Sequence, residues 1–246
     1  FAQYSYPITT FYRVELNAGF FTKDYDFEIP GLIANNEKFS FIEPAVVGDT
    51  TRFKPLTGYA EAYSGQRFRI SVRIPITFSS EYEDYTNTYF DYRAYVPIGK
   101  RSLFAFREWG ILSSGDPPEL YGVGGYNTIR GYDYNTIVGN YVALTNLELR
   151  FPLVDRIQFP GGVGFYGFRG KLFADAGAVW SKGESFRDTF DDPDTSEVEG
   201  DLYGSVGMGI NFWFIGVEWH FEWARKTDFK SIGNDWVYQW SIRRSF

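Results

Sequence analysis

Three groups of residues in this sequence carry side chains that could do chemistry, and the first contains the single histidine. His220 stands between Glu218 and Glu222 in the segment GVEWHFEW, and Ser205 lies on a preceding segment. A histidine that is oriented by a carboxylate could activate a serine hydroxyl for hydrolysis. The same residue types are also common in polar networks that only stabilise structure. We favour the polar network, and we assign no catalytic residue.

The second group is the acidic stretch DTFDDPDTSEVEGD at residues 188–201. Closely spaced carboxylates can bind Ca²⁺, but this stretch lacks the glycine at the sixth position of a dedicated calcium loop. The chain has no cysteine and one histidine, which leaves no basis for a zinc site. We therefore predict a solvated external loop here, and neither a metal site nor a cofactor.

The third group is Arg130, in the stretch GGYNTIRGYDYN at residues 124–135. The glycine spacing matches no phosphate-binding fingerprint, and no helical pattern follows it. An exposed turn would explain the glycines. The tyrosines and Ile129 provide more apolar area than a solvated loop needs, and this favours a loop that packs into a concave surface. An arginine carried into such a surface requires a carboxylate partner, because an unpaired buried charge is costly.

The elements that position these residues are predicted from an alternation of polar and apolar side chains with a period of two. In RFRISVRIPI, one face carries Arg67, Arg69, Ser71 and Arg73, and the other carries Phe68, Ile70, Val72 and Ile74. No segment shows convincing helical periodicity. The alternation predicts about ten strands, near residues 9–22, 38–52, 66–78, 86–97, 101–112, 140–153, 168–181, 202–213, 215–225 and 236–246.

Composition and strand length favour a membrane as the surrounding medium. The predicted strands have about ten or more residues, the length that a tilted strand needs to cross a bilayer. Aromatic residues make up 21% of the chain, and tyrosine and tryptophan favour boundaries between water and lipid. We predict an all-β fold, an antiparallel transmembrane β-barrel that forms a single domain over residues 1–246. A soluble β-sandwich or barrel would show the same alternation and stays the alternative.

Other features narrow the possible partners. No apolar run approaches the 18 residues of a transmembrane helix, and the net charge of −7 argues against a nucleic-acid partner. The C-terminal segment WVYQWSIRRSF resembles the sorting signal of bacterial outer-membrane barrels, in which an insertion machinery reads the last strand. An ordinary last strand is the alternative. The residues that would form this signal are Tyr238, Trp240, Ile242 and Phe246.

Two motifs together resemble the BamA/TamA superfamily of outer-membrane assembly and secretion barrels. The first is Ile129-Arg130-Gly131-Tyr132, which follows glycines that include Gly125 and the strand-like segment LFAFREWG. The second is an aromatic-x-Asp-x-Gly pattern, Phe173 to Gly177 in GKLFADAGAVW, and the segment NLELRFP between them is also similar to a family strand. The resemblance covers roughly residues 45–246.

The resemblance implies a loop that folds into the barrel and an ion pair between Arg130 and Asp175, with Glu148 as the reserve partner. It implies a role in outer-membrane protein assembly, protein secretion or lipid handling, in the outer membrane of a Gram-negative bacterium. The expected partners are outer-membrane lipid, lipopolysaccharide and unfolded client proteins. The alternative is a passive porin or a small structural barrel, in which Arg67, Arg69 and Arg73 would line the lumen.

The number of strands leaves the size of the barrel open. A barrel of eight to ten strands has a narrow interior that its own side chains often fill, so a loop of about 27 residues would fit poorly. The family resemblance implies closure with sixteen strands. The chain is therefore either the C-terminal part of a sixteen-stranded barrel or a reduced barrel of eight to ten strands.

Overall fold

The computed structural model describes residues 1–23, 37–56, 59–76, 84–162, 164–190, 193–194 and 200–242. Its regular elements are all β-strands, and no helix among the described residues is long and apolar enough to cross a membrane. The strands are β1 (Ala2–Pro7), β2 (Tyr12–Lys23), β3 (Glu37–Asp49), β4 (Arg52–Leu56), β5 (Tyr59–Pro75), β6 (Tyr85–Ile98), β7 (Ser102–Gly115), β8 (Tyr121–Val123), β9 (Ile137–Gly139), β10 (Tyr141–Gln158), β11 (Gly164–Trp180), β12 (Leu202–Phe214), β13 (Val217–Lys226) and β14 (Val237–Ile242).

The prediction of an all-β, antiparallel architecture is confirmed, and each of the ten predicted strands overlaps an observed one. Four further strands were not predicted: β1, β4, β8 and β9. β8 and β9 have three residues each, which is too short for an alternating pattern to be recognised. β4 contains Pro55, a residue that weakens a strand assignment because it donates no hydrogen bond.

Eleven strands form one continuous antiparallel sheet, in the order β1-β2-β3-β5-β6-β7-β10-β11-β12-β13-β14. β4 pairs only with β5, and β8 pairs with β9 outside this sheet. Within the described part of the chain, β1 and β14 lie at the two ends and do not pair with each other. Closure of these strands into a reduced barrel of eight to ten strands is therefore not observed.

The two faces of the sheet have the polarity expected of a membrane barrel. On the outward face, Ile70, Leu172 and Met208 are about half exposed. On the inward face, Asp175 and Ser205 are fully buried. A soluble sandwich would place the apolar residues at its centre, so this distribution supports a sheet that turns its apolar face to lipid and its polar face to a lumen.

Aromatic side chains form a band on the outward face near one end of the strands. Phe165 stacks on Phe214 with ring centroids 4.4 Å apart, and Phe168 stacks on Phe212 at 4.7 Å. Trp219 and Trp240 continue the band onto the last two strands. Such a band is typical of the aromatic girdle that lies at a membrane–water boundary.

The two ends of the sheet differ in their connections. Tight connections at residues 99–101 and 215–216 lie at one end, which we call the short-turn end. The connections between β7 and β10 and between β11 and β12 lie at the other end, which we call the long-loop end. In bacterial outer-membrane barrels the short turns face the periplasm and the long loops face the exterior.

The residues of the predicted C-terminal signal lie on β14 or beyond it. Tyr238, Trp240 and Ile242 are exposed on the outward face, where the alternation places them. Phe246 lies outside the described residues. The recognition of this strand by an insertion machinery stays a prediction.

Candidate functional site

The connection between β7 and β10 folds back onto the inward face of the sheet. Its two short strands pair antiparallel, with Tyr121 opposite Gly139 and Val123 opposite Ile137. A buried apolar cluster holds β8 and β9 against the inward face of the sheet, because residues of the loop pack on residues of β10, β11 and β12. Its buried members are Val123, Ile129, Tyr132, Ile137, Val142, Leu144, Val179 and Tyr203.

The tip of the loop, residues 124–132, is closed by its own hydrogen bonds. Gly125 N donates to Tyr132 O at 3.0 Å, and Thr128 N donates to Gly125 O at 3.2 Å. Gly124 N donates to Thr128 Oγ1 at 2.8 Å, and this hydroxyl in turn donates to Gly124 O at 2.9 Å. The tip is therefore a compact turn that can present Ile129 and Arg130 together to the inward face of the sheet.

Arg130 binds Asp175 through three hydrogen bonds. Its guanidinium donates from Nε to Oδ2 at 2.7 Å and from Nη2 to Oδ1 at 2.6 Å, which is a bidentate arrangement. The backbone N of Arg130 also donates to Oδ2, at 3.1 Å. Both side chains are buried, with 2% and 0% of their surface exposed. Fork-like pairs of this type are among the strongest hydrogen-bonded contacts in proteins.

Two further carboxylates complete the surroundings of the guanidinium. Arg130 Nη1 donates to Glu148 Oε1 at 2.5 Å and lies 3.4 Å from Glu222 Oε1. Glu148 also accepts from Arg150, and Glu222 accepts from Lys171. We call these six residues the loop cluster: Arg130, Arg150, Lys171, Glu148, Asp175 and Glu222. Its three cations and three carboxylates balance, which is the condition for keeping charges stable away from water.

The apolar neighbours of Arg130 fix its position. The guanidinium carbon lies 3.6 Å from the centre of the Phe173 ring, which is within the range of a cation–π contact. Ile129 fills the space above Gly177, where a Cβ atom would overlap the Ile129 side chain. The aromatic residue and the glycine of the motif on β11 therefore both contact the loop directly.

Polar contacts also attach the tip to the last strands. Asn146 Nδ2 donates to Thr128 O and to Asp175 Oδ1, both at 2.8 Å. Gln239 Nε2 on β14 donates to Tyr132 O at 3.1 Å. Gly131 rests against β12 and β13, since a Cβ atom placed there would lie 3.3 Å from Ala224 and 3.4 Å from Ser205. The loop thus contacts every strand from β10 to β14.

The structure brings the predicted loop residues and their predicted partners together. Ile129 and Arg130 meet β11 at Phe173, Asp175 and Gly177. Gly131 and Tyr132 contact β12 and β13 instead. Glu148, expected as a reserve partner, contacts Arg130 at the same time as Asp175 does. Gly125 acts within the loop, where it closes the turn.

The structure does not form the serine–histidine pair considered from the sequence. His220 is opposite Asn211, whereas Ser205 is opposite Lys226, six residues further along β12. At about 3.3 Å per residue, the two side chains are about 20 Å apart. Ser205 lies beside Asp175, and His220 contacts Lys171 and Glu218.

Several residues of this site were not singled out by sequence reasoning as contacts of the loop. Asn146, Arg150 and Glu222 all lie on the inward faces of their strands, and alternation alone could place them there. Asn146 and Glu222 contact the loop directly, and Arg150 reaches it through Glu148. These contacts could not be predicted, because β10 and β13 are not neighbours in the sheet. The path of the loop decides which of the many inward charges it meets.

The acidic stretch at residues 188–201 is only partly described, since residues 191–192 and 195–199 lie outside the described residues. Asp201 accepts hydrogen bonds from the backbone N and the guanidinium of Arg187, both at 2.7 Å. The hydrogen bond to Asp201 raises the pKa of Arg187. In the described part of the chain, no three His, Asp or Glu side chains lie where they could hold a metal ion together.

Comparison with known proteins identifies the family. The model of the Omp85 superfamily domain matches residues 59–213, more than half of the 246 residues. The chain is also similar to the crystal structure of BamA from Haemophilus ducreyi lacking POTRA domains 1–3, with a TM-score of 0.66 and 15% sequence identity. That likeness covers 98% of this chain and 53% of the BamA chain, so this chain spans about half of the BamA chain it matches. No curated protein matches the chain. The resemblance inferred from the two motifs is thus confirmed, and the chain belongs to the Omp85 superfamily.

Proposed function

We propose that this domain is the membrane barrel of a protein that inserts client polypeptides into the outer membrane of a Gram-negative bacterium or passes them through it. No covalent bond is made or broken in this process. The barrel lowers the barrier to insertion by offering strand edges and by disturbing the adjacent bilayer. Its partners are outer-membrane lipid, lipopolysaccharide and unfolded client proteins.

The observation that carries this proposal is the attachment of the loop tip to β10–β14. The tip holds the inward face of these strands together, including β14 through Gln239 and Tyr132. β14 itself forms only six residue pairs with β13, and its other edge is unpaired in the described part of the chain. A loop that supports β14 from inside would keep that edge available to a client strand.

The lumen favours this role over that of a passive porin. The loop and its buried cluster occupy the inward face of β10–β14, which would leave less room for free diffusion. Two of the arginines that would line the lumen of a porin and attract anions are also neutralised, because Arg69 binds Glu15 and Glu43 and Arg73 binds Glu43. Arg67 lies 3.9 Å from Asp49.

The test is the folding of a client in liposomes that contain the full-length protein. An unfolded outer-membrane barrel protein is added, and its folding is followed by its resistance to protease. Arg130→Ala should slow the initial rate by about tenfold, because removal of one partner strands the carboxylates of a buried network. Lys100→Ala, at an exposed turn, should keep the parent rate.

The outcomes separate the candidate functions. Folding in the membrane supports insertion, and recovery of the client inside the vesicles supports translocation. A parent protein that gives no more client folding or uptake than empty liposomes would contradict the proposal. A large, steady ion conductance together with that result would favour the porin.

A further inference from the structure

A second element also enters the lumen, from the end opposite to the loop. β5 pairs with β6 only from Gly65 onward, and its first residues, Tyr59–Ser64, pair with β4 instead. The chain turns sharply at Gly65, which has φ of +96°, and a Cβ atom there would overlap the backbone of Thr50. Residues 52–56 and 59–64 therefore leave the main sheet as a separate antiparallel pair, which we call the inner hairpin.

The inner hairpin lies against the inward faces of β6 and β7 at the short-turn end. Ala62 is buried in a cluster with Tyr95, Leu103 and Ala105. Tyr63 Oη donates to Gly99 O at 3.2 Å, and Lys54 Nζ donates to Lys100 O at 2.8 Å. Consecutive residues Glu61 and Ala62 are both buried, which departs from the alternation of the sheet and shows that β5 is covered on both sides at this point.

Glu61 forms the polar contacts between the inner hairpin and strands β10 and β11. Its Oε2 lies 2.8 Å from Arg169 Nη1 on β11, and its Oε1 lies 3.8 Å from Arg150 Nη1 on β10. The second distance is too long for a hydrogen bond. A cavity of about 150 Å³ remains beside this contact, bordered by Lys54, Glu61, Tyr63, Arg101 and Arg169. Among its described residues, the hairpin thus makes one close ion pair, in addition to the hydrogen bonds of Tyr63 and Lys54, and it is incompletely packed.

The hairpin and the loop share a partner strand. Glu148 and Arg150 are two residues apart on the inward face of β10, and they bind each other at 2.7 Å. Glu148 contacts Arg130 of the loop, and Arg150 faces Glu61 of the hairpin. One line of alternating charges, Arg130–Glu148–Arg150–Glu61–Arg169, therefore connects the two elements that enter the lumen from opposite ends.

We propose that the inner hairpin is a removable plug of the short-turn end of the lumen, latched by Glu61 to Arg150 and Arg169 and coupled to the loop through Glu148. The hairpin covers an inward surface that a passing segment or ion would otherwise reach. Among the described residues, one close ion pair and two hydrogen bonds hold the hairpin, whereas five hydrogen bonds from Arg130 alone hold the loop. The hairpin should therefore be easier to release than the loop. This inference concerns the lumen itself and does not depend on the client.

The experiment measures how fast a thiol on the hairpin reacts in the full-length protein. The 246 residues contain no cysteine, so Ala62→Cys introduces one buried thiol into this stretch. A membrane-impermeant maleimide should label it slowly. Adding Glu61→Gln should speed the labelling by about fivefold to tenfold, since a charge-assisted contact becomes a neutral one. The matched control is Asp155→Asn, which removes a carboxylate that is exposed and pairs with Arg101 near the same end.

Three results would contradict the proposal that the inner hairpin is a plug. Equal labelling rates with and without Glu61→Gln would show that Glu61 does not hold the hairpin. Equal acceleration by Asp155→Asn would show that the loss of any nearby negative charge speeds the labelling. Faster labelling without a rise in ion conductance across planar bilayers would show that the hairpin blocks nothing. If Glu61→Gln prevents folding, Arg169→Gln removes the same contact from the β11 side. It should speed the labelling equally, and an unchanged labelling rate would contradict the proposal.

A separate labelling experiment tests the coupling between the inner hairpin and the loop. Arg130→Ala should also accelerate labelling of the Ala62→Cys protein, by about twofold to threefold, because Glu148 then binds Arg150 without competition and draws it from Glu61. The control is Arg69→Ala, whose carboxylate partners lie on β2 and β3. An unchanged rate in Arg130→Ala, or an equal rise in Arg69→Ala, would overturn the coupling.

Discussion

The inward face of the sheet carries two groups of arginine–carboxylate pairs that differ mainly in what covers them. The loop cluster lies under the folded-in loop, and Arg130 has 2% of its side chain exposed. The second group, which we call the strand cluster, consists of Glu15, Glu43, Arg69 and Arg73, and Arg69 has 30% of its side chain exposed. Distances in the two clusters are similar, such as 2.6 Å from Arg130 to Asp175 and 2.8 Å from Arg69 to Glu43.

The difference teaches that geometry alone does not set the energetic weight of an ion pair. In the strand cluster, Arg69 is partly exposed and each buried carboxylate contacts a second arginine, so the loss of one pair costs little. In the loop cluster, a charge that loses its partner stays buried, which is costly. The loop is therefore both the element that the cluster holds and the cover that makes the cluster strong.

The largest effect is expected for Asp175→Ala. This change leaves Arg130 and Asn146 without their shared acceptor, and the free energy of unfolding should fall by about 3–5 kcal/mol. Urea unfolding of the protein in detergent micelles measures it. Asp133→Ala, an exposed acidic residue of the same loop, is the control and should change the value by less than about 0.5 kcal/mol. Equal losses for the two variants would contradict the role assigned to burial.

An intermediate effect is expected for Arg130→Lys. Lysine keeps the positive charge but cannot form the fork to Asp175, so we expect a loss of about 1–3 kcal/mol. The loop should become cleavable by added protease at a rate between those of the parent and Arg130→Ala. A lysine variant that is as resistant as the parent would show that charge alone, without the bidentate geometry, holds the loop.

The sequence alone accounts for the strands better than for the contacts of the loop. Alternation predicted the strands because lipid and lumen impose opposite polarities on successive residues, as at Phe68 and Arg69. It missed the inner hairpin, because residues such as Glu61 and Ala62 are both buried and so do not alternate. The pair between Arg130 and Asp175 was implied by the family resemblance. Glu222 was not assigned to the loop, since its strand is far from Arg130 in sequence.

A small effect is expected for Arg69→Ala in the strand cluster. Arg69 is itself partly exposed, and the buried Glu15 and Glu43 keep Arg13 and Arg73 as partners. The free energy of unfolding should therefore fall by about 0.2–1 kcal/mol, and by less at high salt. The same urea titration, at low and high ionic strength, measures both values. Lys100→Ala serves as a reference with no expected change. A loss as large as that of Asp175→Ala would remove the distinction between the two clusters.

The smallest effect concerns a carboxylate in neither cluster. Asp228 lies in the connection between β13 and β14, and hydrogen bonds from the backbone N–H groups of Ser231 and Lys230 lower its pKa. Its contribution to local stability is therefore present above its ordinary pKa of about 4 and is lost as the pH falls through the lowered value. The protection factors of the Lys230 and Ser231 amides, measured from pH 6 downward, should stay constant to below pH 4 and then fall. Asp228→Asn should abolish this pH dependence, because asparagine does not titrate. Protection factors that do not change with pH in the parent protein would refute the prediction.

The measurement that tests the central claim most directly is a double-mutant cycle between Arg130 and Asp175. The claim is that these two residues, buried together, hold the loop inside the barrel. Arg130→Ala and Asp175→Ala should each be strongly destabilising, and the double variant should lose about 2–3 kcal/mol less than the sum of the two single losses. Additive losses from the two single changes would contradict the claim.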